Sequence, residues 1–446
     1  MKILFCAHQF FPESATGVEV VTLNVARELR SRGHEVFVLA AQRSAPHGDI
    51  EPGEVRDYEY EGVPVRRVGR PREGSSRPYR LNYENPLMAQ RAREYARDLH
   101  PDIVHAMHLQ GLSAAVVPAF KALGLPVVFT AADFWTVCPV VDLYRHDEVL
   151  CRGPELRHCL RCVASRNPDS RLSAMVNPLP DAAIETAGLL SGTPLAGRLA
   201  PLGQVRDLRE RAGYIRRQME EVDRVLAYTR LTRDLLAANG IGRGKTSVSV
   251  YGIDISGIES APAREVPPLR VGFIGTLLPH KGPDLLLEAF RGAPGLAAEL
   301  TVYGTLDDED PYARQLRELA ADDPRITLAG PFPRTRIGEV LGGMDVLAVP
   351  SRWYENAPGV IFEAFAAKVP VVAADLGGTA EFVRHGKNGL LFEAGNARDL
   401  GRKLGRLAEE PGLLRRLREG IGRVKTVGEY AGELEALYNS LLENGG

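Results

Sequence analysis

Cysteine is scarce in this chain, with five cysteines among 446 residues. That scarcity excludes a small disulfide-rich scaffold and makes the reducing cytoplasm the expected compartment. The sequence also lacks an uninterrupted apolar stretch long enough to cross a membrane, and its first apolar run, Ile3 to Ala7, is too short for a signal peptide. We therefore expect a cytoplasmic protein.

Neither sign of charge predominates, because 55 basic and 57 acidic residues leave a formal net charge of -2. This balance removes the bulk electrostatic attraction to nucleic acids or anionic membranes, so no nucleic-acid partner is expected. A chain of this length usually builds more than one hydrophobic core, and we expect two domains.

Short runs typical of β-strands alternate with amphipathic stretches in both halves of the chain. In the first such stretch Val21, Val25 and Leu29 recur at helical spacing, and Gly33 ends it. Apolar strands that alternate with helices predict parallel sheets buried on both faces. The predicted fold class is α/β, with two doubly wound, Rossmann-like domains facing a central cleft.

A segment rich in Gly, Pro and Ser separates the two halves. We predict a first domain at 1–254, a linker at 255–269, a second domain at 270–426 and a terminal helix at 427–446. Residues 138–220 interrupt the alternation with Pro, Gly and Cys, and we interpret them as an insertion in the first domain, poor in regular structure.

The stretch SRWYENAPGVIFEAF, which begins at position 351, carries Glu355 and Glu363 eight positions apart. Asn356 suits the N-cap of a helix and Pro358 suits its first turn. The backbone N–H groups that open such a helix form an anion site reinforced by the helix dipole. The predicted anion site comprises Asn356, Ala357, Pro358, Gly359 and Val360.

The two glutamates are better suited to a clamp than to an acid/base pair. On one continuous helix, eight positions separate the backbones by roughly 12 Å, whereas a glycosidase pair holds its carboxyl groups about 5 to 10 Å apart. Lys281 follows another strand of the same half and supplies the point charge that an anion needs. Glu355 and Glu363 on either side of a diphosphate suit a nucleoside diphosphate sugar.

Special residues of the first half also follow predicted strands, where open parallel sheets bind their ligands. Gly17, His108 and Asp133 occupy such positions. His108 is either a catalytic histidine or an ordinary loop histidine. Asp133 is either an acceptor contact or the cap of the next segment.

These motifs resemble the retaining glycosyltransferases of family 4, which have the GT-B fold. The resemblance covers nearly the whole chain apart from 138–220 and rests on GVEVVTLNVARELRSRGHEV, GTLLPHKGPDLLLEAF and the E-x7-E stretch. It implies transfer of a sugar, with retention and by front-side attack, from a nucleoside diphosphate sugar to an acceptor hydroxyl in glycan, polysaccharide or glycoconjugate synthesis. It implies no cofactor for catalysis.

The resemblance also implies residue roles. Glu355 would lie by the donor sugar and take part in catalysis, Glu363 would bind the donor ribose, and Lys281 would bind the diphosphate and stabilise its departure. Gly17 matches the loop that approaches the donor phosphates, and His108 falls near the family's active-site histidine. The terminal helix would cross back to the first domain.

Three positions depart from the family pattern or leave the match open. Thr276 stands where family members often carry an arginine, and Thr16 replaces the first glycine of the Gly-Gly pair. The diphosphate would then have one cationic contact fewer, or would use Arg352, which is our hypothesis. Met107 aligns as well as its neighbour with the active-site histidine.

Other functions share parts of this pattern. A nucleotide-sugar hydrolase or epimerase on the same fold would use the same donor clamp, and a catalytically inactive nucleotide-sugar-binding subunit would retain it. A dinucleotide-dependent oxidoreductase requires G-x-G-x-x-G after a strand, which we do not find.

Four of the five cysteines fall in the predicted insertion: Cys138, Cys151, Cys159 and Cys162. The C-x2-C spacing of the last two is typical of half a zinc site, which the others would complete. Structural zinc, unliganded thiols and an iron–sulfur cluster all remain open.

An arginine-rich helix is predicted near the end of the insertion, in QVRDLRERAGYIRRQMEEVDRV. It either touches the inner membrane face or a lipid-linked acceptor, or presents a solvated face of mixed charge. The acceptor class (glycan, lipid-linked or small molecule) is not defined by the sequence.

Overall fold

The chain folds into two compact units. The first comprises Met1–Gly252 together with the terminal helix, and the second comprises Ile253–Thr426. The computed structural model describes residues 1–43, 50–70, 79–166, 170–193, 200–260 and 267–443. Parts of the predicted linker (261–266), insertion (167–169 and 194–199) and terminal helix (444–446) lie outside the described residues.

A sheet of eight strands, counted over the described residues, is the framework of the first unit. The strands are β1 (Lys2–Ala7), β2 (Glu35–Arg43), β3 (Val55–Tyr60), β4 (Val63–Arg70), β5 (Ile103–Ala106), β6 (Val127–Ala131), β7 (Arg224–Ala227) and β8 (Thr246–Val248). Their order is β3-β4-β2-β1-β5-β6-β7-β8, and only β3 runs antiparallel to its neighbour among these described strands. The central strand β1 is almost wholly buried, as expected of a strand covered on both faces.

Eight helices in the described residues connect these strands. They are α1 (Gly17–Ser31), α2 (Pro86–Leu99), α3 (Val116–Lys121), α4 (Leu156–Ser165), α5 (Ser170–Val176), α6 (Asp181–Leu190), α7 (Ala200–Glu220) and α8 (Arg230–Ala238). A 3₁₀ turn spans Tyr79–Asn82. Four of the helices, α4 to α7, fall between β6 and β7, so the expectation that the insertion is poor in regular structure is wrong after Glu155.

The second unit contains a fully parallel sheet, with six strands in the described residues. These are β9 (Leu269–Ile274), β10 (Ala298–Tyr303), β11 (Ile326–Gly330), β12 (Val346–Val349), β13 (Val371–Ala374) and β14 (Gly389–Phe392). The helices are α9 (Pro283–Arg291), α10 (Pro311–Ala321), α11 (Ile337–Gly342), α12 (Gly359–Ala366), α13 (Thr379–Phe382), α14 (Ala397–Glu409) and α15 (Leu413–Glu419). The order β11-β10-β9-β12-β13-β14 reverses direction beside β9, and two apolar cores cover the faces of the sheet. The predicted class, two doubly wound α/β domains, is confirmed.

The last helix, α16 (Val427–Glu443), packs on the first unit. Its Tyr438 hydroxyl lies 2.6 Å from Nδ1 of His105 in β5, and Nε2 of the same ring lies 2.7 Å from the hydroxyl of Thr130. At the helix surface Arg32 pairs with Glu435 at 2.6 Å. Burial lowers the pKa of His105 to about 3, so this polar network stays neutral.

Candidate functional site

Lys281 and Glu355 meet at the carboxyl edge of the second sheet. They follow β9 and β12, which are parallel neighbours, so their loops leave the same edge. Lys281 Nζ lies 2.8 Å from Glu355 Oε1, and the Ser351 hydroxyl donates to the same oxygen at 2.7 Å. The Glu355 side chain is only 8% exposed. This buried carboxylate therefore has a cation and a hydroxyl on one oxygen.

The charge of Glu355 is maintained by its surroundings. Burial by itself raises the pKa of the Glu355 carboxyl, but the charge and hydrogen bond of Lys281 outweigh it and the pKa lies below its ordinary value. Lys281 Nζ also lies 4.8 Å from the centre of the Trp353 ring, at cation–π distance. The Glu355 carboxylate is thus ionised at neutral pH, and the side-chain nitrogen of Lys281 has one aromatic and one carboxylate neighbour.

The loop that carries Lys281 depends on Gly282. Its φ of +71° is left-handed, and a Cβ there would stand 2.2 Å from the carbonyl oxygen of Pro350 at the end of β12. Arg352 fastens the same loop, because its backbone N–H donates to the carbonyl of His280 at 2.8 Å. Close contact of the two loops is what brings the cation to the carboxylate.

Arg352 has a different partner from the one we hypothesised. Its guanidinium forms an ion pair with Asp284 in α9, at 2.8 Å to each carboxylate oxygen, and Tyr312 donates its hydroxyl to the same carboxylate at 2.6 Å. Arg352 therefore holds the Lys281 loop to α9, and the structure gives no support to it as the missing cation opposite Thr276.

Helix α12 begins two residues later than the sequence predicts. Pro358 is its cap and makes no side-chain capping bond, so the predicted N-cap role of Asn356 is wrong, as is the first-turn position of Pro358. Glu355 lies outside the helix and Glu363 inside it, so the distance estimated for one continuous helix does not apply. The first N–H groups of α12, on Gly359 and Val360, lack intrahelical acceptors by their position.

A glycine pair that sequence reasoning did not single out supports the Glu355 segment. A Cβ on Gly378 would stand 1.8 Å from the carbonyl oxygen of Asn356, and its backbone N–H donates to the carbonyl of Glu355 at 2.7 Å. A Cβ on Gly377, at φ +58°, would stand 3.1 Å from Cα of Tyr354, so this glycine is required mainly by its left-handed backbone. Such a close approach of two backbones requires residues without side chains. The Gly-Gly pair after β13 was the signal in the sequence that could have revealed it.

Glu363 has its own cation, Arg334. The Arg334 guanidinium donates to Glu363 Oε1 from a 3₁₀ turn, Arg334–Arg336, that follows β11. The Glu363 side chain is 4% exposed, whereas that of Arg334 is 61% exposed. The two glutamates thus engage two different cations, an arrangement unlike a pair of carboxyls that act on one bond. No spacing in the sequence links Arg334 to Glu363.

In the first unit the structure brings His108 and Asp133 together. Nε2 of His108 is hydrogen-bonded to Oδ2 of Asp133, while the backbone N–H of Gln110 donates to Nδ1 at 3.2 Å. Nδ1 is therefore the acceptor, and the ring proton on Nε2 points to the carboxylate. The His108 side chain is 3% exposed and that of Asp133 27%. Because both ring nitrogens of His108 are hydrogen-bonded and its side chain is buried, Asp133 is the group of this pair that solvent reaches.

Two further residues behind this pair were missed by sequence reasoning. The ring of His8 lies 4.3 Å from that of His108, and its Nε2 lies 3.4 Å from the fully buried carboxylate of Glu19. Burial, then the charges of His108 and Arg70, lower the pKa of His8 well below its usual range. His8 therefore supports the pair as a neutral ring.

Gly17, predicted to approach donor phosphates, is the first residue of α1. A Cβ at this position would meet no atom of the described residues within 4 Å, so packing does not demand glycine here. Thr16, the cap residue, donates its hydroxyl to Glu19 at 2.5 Å. The open space at Gly17 is compatible with backbone contact to a ligand.

The four cysteines of the insertion line one small cavity beside α4. Over the part of the chain that the structure describes, no group of three or more His, Cys, Asp or Glu side chains is already arranged to hold a metal ion. All five cysteines are free thiols.

Helix α7, the arginine-rich helix, turns part of its charge inward. Arg211 is buried and donates to the carbonyl of Trp135, and the buried carboxylate of Asp207 accepts from the backbone N–H of Arg80 at 3.1 Å. None of the helices in the described ranges combines the length and apolar character needed to span a bilayer.

Two family models match the chain in succession. The model described as Glycosyltransferase Family 4 matches residues 15–156, and the model described as Glycosyl transferases group 1 matches residues 259–422. The first match includes the His108–Asp133 pair, and the second includes Lys281 and both glutamates.

Curated relatives match over part of the chain. The D-inositol 3-phosphate glycosyltransferase of Nocardia farcinica is 32% identical over 216 residues, which are 44% of this chain and 47% of that protein. The protein of the same name from Mycolicibacterium smegmatis is 30% identical over 250 residues, 53% of this chain and 54% of that protein. The match thus spans about half the length of these relatives.

Solved structures match over the whole fold. The Anabaena protein HepE in complex with UDP and glucose has a TM-score of 0.64 at 18% identity, covering 99% of this chain and 100% of that one. Sucrose-phosphate synthase from Thermosynechococcus elongatus has a TM-score of 0.66 at 16% identity, covering 99% of each chain. At such identities the likeness establishes the fold.

Proposed function

We propose that this chain, which belongs to the family 4 glycosyltransferases with the GT-B fold, transfers a sugar with retention from a nucleoside diphosphate sugar to an acceptor hydroxyl. The observation that carries the proposal is the buried, ionised Glu355 beside Lys281, at the sheet edge where α12 presents its first N–H groups. Relatives named as glycosyltransferases and a structural neighbour that binds UDP-glucose support it.

The diphosphate would bind between Lys281 and the start of α12. A diphosphate requires cations and N–H donors, and the helix dipole adds positive potential at Gly359 and Val360. Lys281 lies against Glu355 in the structure, so the donor would share or take over the ammonium. Charge that develops on the departing diphosphate would be stabilised by the same groups, which is the main electrostatic contribution to such a reaction.

Glu363 would bind the ribose of the donor. A carboxylate accepts two hydrogen bonds at once, which matches a pair of neighbouring ribose hydroxyls. One oxygen of Glu363 is held by Arg334, whose mostly exposed side chain can turn away without leaving a buried cation. Glu355 would contact the sugar itself, with its charge fixed by Lys281.

The chemistry would be a front-side displacement. The resemblance to the family implies this route. Glu355, the buried carboxylate of the site, has one oxygen engaged by Lys281 and Ser351, which suits orientation of the donor sugar better than nucleophilic attack on it. The acceptor hydroxyl would attack the anomeric carbon as the bond to the diphosphate oxygen breaks, and its proton would pass to that oxygen. Asp133, partly exposed and oriented by His108, would position an acceptor hydroxyl.

Product analysis tests this proposal. Labelled UDP-, GDP- and ADP-sugars are incubated with the full chain, with and without a panel of hydroxyl acceptors that includes inositol phosphates. We expect nucleoside diphosphate release and an acceptor product with the donor's anomeric configuration, both lost in Glu355→Gln. Release of free sugar that no acceptor diverts would instead identify a hydrolase, and donor binding without turnover would identify an inactive binding subunit.

A further inference from the structure

We propose that Cys138, Cys151, Cys159 and Cys162 together bind one zinc ion that fixes the insertion of the first unit. The four thiols, drawn from three separate stretches of chain, border one cavity of about 10 Å³, the size of a single water or ion. Four thiolates are a common ligand set of structural zinc. The inference does not depend on the reaction proposed above.

The local fold brings the four cysteines to one cavity. Cys159 and Cys162 lie one turn apart on α4, so both face the same side of the helix. Cys138 ends the turn after β6, where its N–H donates to the carbonyl of Phe134 at 2.7 Å. Cys151 follows a small hairpin closed by the bridge between Tyr144 and Leu150. An ion here would join a loop, a hairpin and a helix.

Two of the sulfur atoms have polar neighbours. The Cys151 thiol donates to the carbonyl of Gly153 at 3.0 Å, and Sγ of Cys162 lies 4.0 Å from Nδ1 of His146. Zinc binding would displace the thiol proton of Cys151 and replace this hydrogen bond by a zinc–sulfur bond.

Positive charge is also at hand for a tetrathiolate site, whose net charge with zinc is minus two. Arg145 lines the cavity. Arg166 lies near Cys162 and Arg211 near Cys138, and the carboxylate of Asp142 also lies near both of these cysteines. Arg166 pairs with Asp142 and Arg145 pairs with Asp147, so part of this positive charge is already balanced. The buried Arg211, which donates to the carbonyl of Trp135, is the cation of the three that would offset the charge of the site most directly.

Metal binding would draw the sulfur atoms inward. Within the described residues these side chains border the cavity without converging on one point. Zinc–sulfur bonds are about 2.3 Å long, so rotation of the thiols and a small closure of the hairpin would accompany binding. Cys138 lies five positions after Asp133, so the ion would fix the segment that presents this carboxylate.

The test is metal analysis of the full chain purified without chelators from zinc-containing medium. We expect one zinc per chain by elemental mass spectrometry, and its release in step with modification of about four thiols by a mercurial reagent, followed with a zinc-sensitive dye. This readout needs no variant. A zinc content near zero with thiols that titrate freely, or iron with visible absorption in place of zinc, would overturn the proposal.

Matched variants assign the ligands. Cys151→Ser and Cys162→Ser should each lower the bound zinc to less than a fifth of the wild-type content and lower the melting temperature. Cys6→Ala, which changes the one cysteine outside the cluster, in the buried strand β1, should keep the full zinc content. If both serine variants remain folded by circular dichroism and keep one zinc per chain, the proposed ligand set is wrong.

Discussion

Glu355 and Lys281 form a buried ion pair, with 2.8 Å between the carboxylate oxygen and the ammonium nitrogen. The pair joins two loops that leave neighbouring strands of one sheet, and Gly282 allows these loops to touch. A ligand phosphate that approaches Lys281 therefore meets a cation whose position is fixed in advance. That preorganisation underlies the predictions that follow.

Removing one member of the pair should cost more than removing both. Lys281→Met leaves the Glu355 carboxylate buried and uncompensated, and we expect a loss of about 1–3 kcal/mol in the free energy of unfolding. The double variant with Glu355→Gln should recover a large part of that loss. Chemical denaturation of the two single variants and the double variant measures the coupling, and additive effects would show that the pair does not interact.

The stability of the protein should depend on pH through Glu355. Its pKa is lower in the folded state than in the unfolded state, so its contribution is fully present above the ordinary value of 4.5 and is lost as the pH falls through the folded value. The difference in unfolding free energy between wild type and Glu355→Gln should therefore shrink as the pH falls below about 4.5. A difference that grows on acidification would contradict the assigned direction of the pKa shift.

Release of Glu363 from Arg334 should strengthen binding of the donor. Arg334→Gln removes a competitor for the carboxylate, and we expect donor affinity to rise roughly threefold to tenfold, with a stability change below about 1 kcal/mol because this cation is mostly exposed. Arg336→Gln, which breaks the exposed pair with Glu339, is the matched control and should change neither quantity. If Arg334→Gln weakens donor binding instead, Arg334 contacts the donor directly.

The glycine pair should be intolerant of a methyl group. In Gly378→Ala the new Cβ would overlap the carbonyl oxygen of Asn356, so the segment that carries Glu355 has to move. We expect turnover to fall at least a hundredfold and stability to drop by about 1–3 kcal/mol. Gly405→Ala, on α14 with open space around it, should be neutral or stabilising by up to about 1 kcal/mol. Equal activity of the two variants would exclude the close approach.

Substitution of Asp133 should impair the kinetics with the acceptor and leave donor affinity unchanged. Asp133→Asn keeps the shape but removes the charge opposite His108, and we expect kcat/KM for the acceptor to fall about tenfold to a thousandfold while donor affinity stays unchanged. Steady-state kinetics with each substrate varied in turn measures both. Donor affinity that falls as far as acceptor kinetics would contradict the role assigned to this carboxylate.

The fold and the first layer of the site were predictable from sequence because they follow from periodicity and local chemistry. Alternating strands and helices define two doubly wound units, and the position of Lys281 and Glu355 after strands places both at the ligand-binding edge of a sheet. The helix start was misplaced by two residues because Asn356 has the side chain of a good N-cap, whereas in the structure its backbone carbonyl packs against Gly378 and the helix begins at Gly359.

The remaining features are contacts between residues that lie far apart in the sequence, and no local pattern encodes them. Arg334 reaches Glu363 across 29 positions, and Arg352 reaches Asp284 across 68, because the order of strands brings their loops together. His8, which follows β1, lies against His108, which follows the neighbouring parallel strand β5, and Glu19 in α1 lies beside His8. Such side-chain partners require the topology before they can be recognised.

The central claim is that the second unit binds a nucleoside diphosphate with Glu363 on the ribose. Calorimetric titration of the full chain with UDP, GDP and ADP, repeated with Glu363→Ala and with Glu339→Ala as an exposed control from the same unit, tests it most directly. The account predicts one site per chain for at least one nucleotide, binding at least tenfold weaker in Glu363→Ala, and unchanged binding in the control. Absence of binding by the wild type, or equal affinity in all three proteins, would contradict it.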